Sequence, residues 1–265
     1  MILTQHLAVF TIALPILMAV LTIFLKKHNK AQNILSVLGS VTVLILSILL
    51  VKTVLTDGIQ VYEVGEWGKY GIILVADLLS AGMVVLASAA SLLALVYSLG
   101  YIEKRSLSNS YHPLFNLMVA GLNGAFLTGD LFNLFVFFEI LLLSSCGLVI
   151  ANENSSVTKA SDKMEATFKY LVLNMLGSFT MLIAILSIYG ITGTLNMADI
   201  ALRISILVET GTAPWYLYGS ALLFIVVFGN KAALFPLHYW LPDVHPSAPS
   251  PISAMLSGVL IKVGV

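Results

Sequence analysis

Three ionisable side chains stand deep in apolar sequence: Glu139 in LFNLFVFFEILLLSS, Lys231 in ALLFIVVFGNKAALF and Lys262 in SGVLIKVGV. A charge at the centre of a membrane span costs about 2.5–3.5 kcal/mol by insertion scales, so such residues usually pair, line water or carry protons. The chemistry this set offers is reversible protonation. Burial weakens a lysine's hold on its proton and a nearby carboxylate strengthens it. A lysine whose acid can approach or retreat is therefore a proton site of adjustable affinity. Glu139 is the acid placed deeply enough to serve Lys231, and Lys262 is the natural acceptor. The ordinary alternative, a fixed ion pair joining two helices, is a weak stabiliser because desolvation offsets the attraction. Snorkelling of Lys231 to the interface would need it near the end of its apolar run.

The sequence after Lys231 is unusual for a span. Pro236, His238, Pro242, Asp243 and His245 follow within it, and five of the eight prolines fall between 236 and 251. Proline removes a backbone donor and kinks a helix, so Pro236 and Pro242 predict a broken, water-lined helix of the kind that holds ions in transporters. His238, seven residues after Lys231, would share its face on an unbroken helix. His238 and His245 have the side chain suited to passing protons near neutral pH. Thr167, Asn174 and Ser178 lie on one helical face, where they line either water or a neighbouring helix, and Lys169 flanks the same run. Ser250, Ser253 and Ser257 share a face that Lys262 does not. Asp77 and Asp130, near span ends, are expected to cap helices. No convergent His and Cys set predicts a metal, no partnered serine predicts hydrolysis, and no cofactor motif is present. The single Cys146 excludes an internal disulfide and is expected to be inert packing.

These residues need a membrane to matter. The chain is 59% hydrophobic and only 10% charged, with a mean hydropathy of +0.99, against about 25% charged residues in soluble domains. Zero net charge argues against a nucleic-acid partner. Continuous apolar runs predict an all-α polytopic membrane protein of about eight transmembrane helices. They cover 5–25, 32–54, 72–100, 112–128, 131–151, 166–190, 216–241 and 249–265. The first run lacks a basic leader and is expected to be a span, not a signal peptide. The fourth and fifth are parted by Thr128-Gly129-Asp130, a turn. Lys26, Lys27, Lys30, Lys104, Arg105, Lys159, Lys163 and Lys169 lie in or beside odd-numbered connections, against Lys52, Lys69 and Arg203 in even ones. That bias puts the N-terminus outside, on the side of the acidic Asp57, Glu63 and Glu66. Met197, Ile200, Ile204 and Leu207 predict a helix along the membrane surface. The last run reaches Val265 without a polar flank, the pattern of a piece or half of something larger.

Two long motifs, GAFLTGDLFNLFVFFEILLLSS (124–145) and KAALFPLHYWLPDVHPSAPSPISAMLSGVLIKVG (231–264), carry a family resemblance. The first resembles the fifth-helix region of the D subunit of Mrp-type multisubunit Na+/H+ antiporters, as does GITGTLNMADIA (190–201). The second is similar to the seventh- and eighth-helix signature shared with antiporter-like subunits of complex I and membrane-bound hydrogenases. The resemblance implies the N-terminal part of a fourteen-helix fold with a broken seventh helix: helices 1–3 over 1–110, and a first antiporter-like repeat, helices 4–8, over 111–265. It implies an ion-translocating subunit moving H+, with Na+ as the candidate coupled ion, among other membrane subunits in a prokaryotic cell membrane. Glu139 takes the place of the modulating glutamate, Lys231 that of the broken-helix lysine and Lys262 that of the central lysine. His238 and His245 fall in the matching loop. The charged residue that the family's second repeat supplies on its twelfth helix has no counterpart here. A redox-driven pump of the complex I or hydrogenase type is the alternative the same resemblance implies.

Overall fold

The computed structural model describes residues 6–65, 71–101, 110–150 and 160–265; Glu66, Lys69, Lys104, Arg105 and Lys159, counted above among the loop charges, lie outside them. The chain runs α1 (Leu7–Phe24), α2 (Asn29–Asp57), β1 (Gln60–Val64), β2 (Ile72–Ala76), α3 (Leu78–Tyr101), α4 (His112–Leu127) and α5 (Leu131–Ile150). It continues through α6 (Ala160–Thr192), α7 (Met197–Glu209), α8 (Trp215–Lys231), α9 (Trp240–Ser247) and α10 (Ser250–Gly258) to a 3-10 turn, Leu260–Gly264. Among the described residues five helices, α1, α2, α3, α5 and α6, are long and apolar enough to cross a membrane. The α4 helix has 16 residues and α8 has 17. The last apolar run is divided between α10 and the 3-10 turn.

Local chemistry sets the boundaries. The expected third span starts late, because Ile72–Ala76 pairs antiparallel with Gln60–Val64; the β-branched residues of IILVA suit a strand as well as a helix. Asp77 then caps α3. Its Oδ1 accepts from the Ser80 backbone N–H at 2.7 Å, while Ser80 Oγ accepts from the Asp77 N–H at 2.9 Å. The bond from the Ser80 backbone holds the Asp77 carboxyl below its usual value. Asp130 caps α5 likewise, accepting from Asn133 N at 2.7 Å, though its burial raises the carboxyl pKa. Asn196 caps α7, the helix expected there, accepting from Ala198 N and Asp199 N. Both aspartates thus perform the capping expected of them.

The turn between α4 and α5 is a junction. Gly129 N donates to Ile73 O at 2.8 Å, Met197 N to Gly129 O at 2.9 Å and Leu131 N to Leu195 O at 3.0 Å. The hairpin, this turn and the α6–α7 connection therefore meet at one end of the molecule, where His6 Nδ1 also meets the Tyr62 hydroxyl at 3.1 Å. Even-numbered connections and the N-terminus share that end, as alternating spans require.

Around this end α1 packs on α2 and α4, α2 on α3, α4 on α3 and α5, α5 on α6, and α6 on α8 and α9. The interior holds the rings of Tyr111, Phe115, Phe138, Tyr170 and Trp240. Outward faces carry exposed Leu17, Ile23, Ile34, Leu38, Ile45 and Leu93, apolar side chains suited to lipid. The approach of α4 to α5 depends on Gly124, where a Cβ would overlap the Phe137 ring. Gly124→Ala should destabilise the protein by about 1–3 kcal/mol through overpacking, read as a lowered thermal midpoint. Gly82→Ala, at a helical glycine with nothing within 4 Å of an added Cβ, should not lower it.

Candidate functional site

Helix α8 stops at Lys231. Asn230 and Lys231 are its last two residues, and the chain then turns through Ala233, which has φ 52°, and stays non-helical until Trp240. Leu234 N donates to Gly229 O at 2.8 Å and Trp240 Nε1 to Asn230 O at 3.0 Å. Two carbonyls freed by the end of the helix are satisfied in this way. Lys231 sits at the negative end of the helix dipole, the end that favours a cation.

The lysine is 7% exposed, and its Nζ lies 5.1 Å from the centre of the Phe138 ring on α5. Such a cation–π contact contributes about 0.5–2 kcal/mol. Glu139, next to Phe138, is half-buried, and its Oε1 is buried without a hydrogen-bond partner. The carboxylate acts electrostatically on Lys231, yet the two form no ion pair within 4.0 Å. Cys146, seven residues on and on the same face of α5, lies within electrostatic reach of the lysine too. The Lys231 ammonium is thus held by a ring, with its acid near but not engaged.

A polar brace surrounds this arrangement. Ser145 Oγ on α5 and the Tyr170 hydroxyl on α6 are 2.7 Å apart. The Tyr170 ring lies 4.9 Å from that of Trp240 on α9, whose indole N–H reaches the end of α8. Asn230 Nδ2 returns to Leu173 O on α6 at 3.3 Å. Sequence reasoning did not single out Ser145, Tyr170, Asn230, Trp240 or Phe138. Polar residues inside apolar runs were the available signal for the first three, but helical phase gives a face and never the partner across it.

Other expected residues fall in varied places. Asn174 is buried and donates to Tyr170 O within its own helix at 3.1 Å, and Ser178 is buried with no partner for its hydroxyl. Pro236 lies in the non-helical segment, whereas Pro242 lies in the first turn of α9. Pro242 therefore opens a helix instead of interrupting one, because a first-turn N–H has no intrahelical acceptor to lose. The break also voids the helical relation of His238 to Lys231. The His238 ring stacks on Tyr239 at 5.2 Å and its Nδ1 is buried without a partner. His245 Nδ1 bonds Ser253 Oγ on α10 at 2.7 Å. Lys169 is exposed and ion-paired to Glu165 at 2.9 Å and to Asp243 at 3.1 Å, beside a surface cavity of about 230 Å³ that Pro242 and Ser247 also line. Lys163, assigned above to a connection, lies buried in the first turn of α6.

Lys262 departs from its expected burial: it is exposed on the 3-10 turn. That turn nevertheless packs onto the end of α8. A Cβ at Gly264 would lie 2.6 Å from Ala232 N and 2.9 Å from Lys231 Cβ, so only glycine allows so close an approach. The structure thus brings Glu139, Lys231 and the segment bearing Lys262 around one helix end.

A bundle of apolar helices with a buried lysine at an internal helix end defines the class, a multi-pass helical membrane protein. The chain belongs to the NADH:quinone oxidoreductase/Mrp antiporter transmembrane family, which matches residues 128–265. It is similar to the D subunit of the Na(+)/H(+) antiporter of Alkalihalophilus pseudofirmus, with 38% identity over 98% of this chain and 51% of that protein. It is also similar to the N subunit of NADH-quinone oxidoreductase from Desulforudis audaxviator, at 34% over 98% of this chain and 51% of that protein. Its fold matches a chain of the archaeal membrane-bound sulfane sulfur reductase, a respiratory membrane complex, with a TM-score of 0.87, 30% identity and coverage of 98% and 51%. It also matches a chain of the Mrp complex from Dietzia sp., with a TM-score of 0.83, 29% identity and coverage of 100% and 47%. The chain spans about half the length of these curated relatives.

The brace gives a direct test of the packing at this site. A double-mutant cycle of Ser145→Ala and Tyr170→Phe, read by equilibrium unfolding in detergent, should return a coupling of about 0.5–1.5 kcal/mol. Additive single effects would mean the bond across α5 and α6 is not made.

Proposed function

We propose that this chain is an ion-translocating subunit of a multisubunit cation/proton antiporter, in which Glu139, Lys231 and Lys262 form a proton relay. The observation that carries the proposal is the state of Lys231: buried, held over Phe138, with Glu139 in electrostatic reach but unpaired. A structural ion pair would be closed. A relay needs an acid that can engage and release. Closing the Glu139–Lys231 gap strengthens the lysine's hold on its proton, and opening it releases the proton toward Lys262. Moving one charge through the membrane potential involves about 2.3 kcal/mol per 100 mV. One to two units of proton affinity, about 1.4 kcal/mol each, are of the size to gate that step.

Under this reading His238, His245, Asn174 and Ser178 line the approach to Lys231, with Lys169 at its mouth. Helices 1–3 (1–110) support a translocating repeat (111–265). The partners are other membrane subunits of the complex, and the exchanged ions are H+ and Na+. The setting is a prokaryotic cell membrane with the N-terminus outside, supported by the charge bias of the connections. Similarity to the N subunit of NADH-quinone oxidoreductase and to a chain of a respiratory complex supports a second reading, in which electron transfer elsewhere in the complex drives the same relay.

Lys231→Ala in the complete complex should abolish proton translocation in inverted membrane vesicles while the subunits still co-purify. Full translocation by an assembled variant would overturn the relay. Driving force separates the two readings: the antiporter reading expects proton movement on adding Na+ alone, and the redox reading expects it only on adding an electron donor.

A further inference from the structure

A second concentration of buried polar atoms lies where α1, α2 and α4 meet, apart from the Lys231 site. On α4, His112, Asn116 and Asn123 occupy one helical face and are exposed by 0%, 3% and 0%. On α2, Gln32 and Ser36, one turn apart, are exposed by 1% and 0%. Some of their bonds close between helices: His112 Nε2 meets Asn33 Oδ1 at 2.8 Å, Gln32 Nε2 donates to Thr22 O at 2.9 Å, and Asn123 Nδ2 donates to Thr11 O at 2.9 Å. Others do not close. His112 Nδ1, Gln32 Oε1, Ser36 Oγ and Asn123 Oδ1 are all buried without a protein hydrogen-bond partner.

One such orphan costs about 1–3 kcal/mol. Asn123 lies about three turns further along α4, and the three on His112, Gln32 and Ser36, grouped at the start of α4 and of α2, are too many to leave dry. Helix packing alone would be served by alanine or glycine at these positions, with no penalty. The orphans include acceptors, a hydroxyl and an imidazole nitrogen, the mixed set that bound water satisfies with two to four bonds per molecule. We propose that the α1–α2–α4 junction is an internal water-binding site with His112 as its proton-accepting group. The Asn33 carbonyl fixes the tautomer: Nε2 donates to Asn33 Oδ1, which leaves Nδ1 as an acceptor facing the water. A proton arriving through that water would convert the imidazole to a double donor.

The surroundings leave the imidazole as the group that titrates. The Tyr111 ring stands edge-on to it, with centroids 5.8 Å apart. Among the described residues, Lys26 and Lys27 follow α1 and Lys30 begins α2, all exposed. Tyr97 on α3 is exposed, and Cys146 on α5 is buried. The described acids on the packed elements stand elsewhere: Asp57 at the far end of α2, and Glu139 within reach of Lys231.

Histidine C2–H deuterium exchange, followed by mass spectrometry on the assembled complex in membranes, tests this. His112 should exchange with a sigmoidal pH dependence, and Ser36→Ala should slow His112 at least threefold while leaving the exposed His28 unchanged. No exchange at His112 in the unmodified protein would overturn the proposal, because a dry imidazole cannot exchange. Exchange unaffected by Ser36→Ala would also overturn it, since the water would then not be shared with Ser36.

Discussion

A backbone that stops being helical within apolar surroundings must hand its freed hydrogen-bonding groups to something else. At Lys231 this constraint organises much of the fold. Asn230 O is taken by the Trp240 indole, and Gly229 O by Leu234 N. Trp240 can reach only because the chain folds back through Ala233 and begins a new helix there. Tyr170 then packs against Trp240, and Ser145 fixes Tyr170. The end of one helix is thus tied to three others, and a lysine is held at that end inside an apolar bundle.

The opposite end is organised by backbone hydrogen bonds. The turn at Gly129 bonds to the hairpin on one side and to the start of α7 on the other. It joins connections far apart in sequence, so α5 is anchored at the cap that Asp130 provides. One turn of α5 bears Phe138 and Glu139. The depth at which these side chains meet Lys231 is therefore set by the docking of a turn at the other end of the molecule.

Polar satisfaction also separates two kinds of buried group. Around Lys231 the brace is largely closed, and the open valences belong to the groups that would carry protons: Glu139 Oε1, His238 Nδ1 and Ser178 Oγ. Around His112 the open valences belong to a site that no intramembrane charge marks. Searching a membrane sequence for charges finds the first kind and misses the second.

The sequence by itself determined the membrane class, the order of the apolar helices, the turn at Thr128–Asp130, the caps at Asp77 and Asp130, and the helix at Met197. These follow from composition, periodicity and short-range hydrogen bonding, which act within a few residues. Only the tertiary structure decided that Ile72–Ala76 is a strand, since IILVA suits strand or helix until a partner strand appears. It also decided that Pro242 opens a helix, that Lys231 rests on Phe138, and that Tyr170 and Trp240 brace it. Lys262 belongs here too: its apolar flanks predict burial, yet its exposure depends on what packs beside the turn that bears it. A helical period assigns each side chain to a face, but the neighbour that face meets is settled by long-range contacts that the period does not encode.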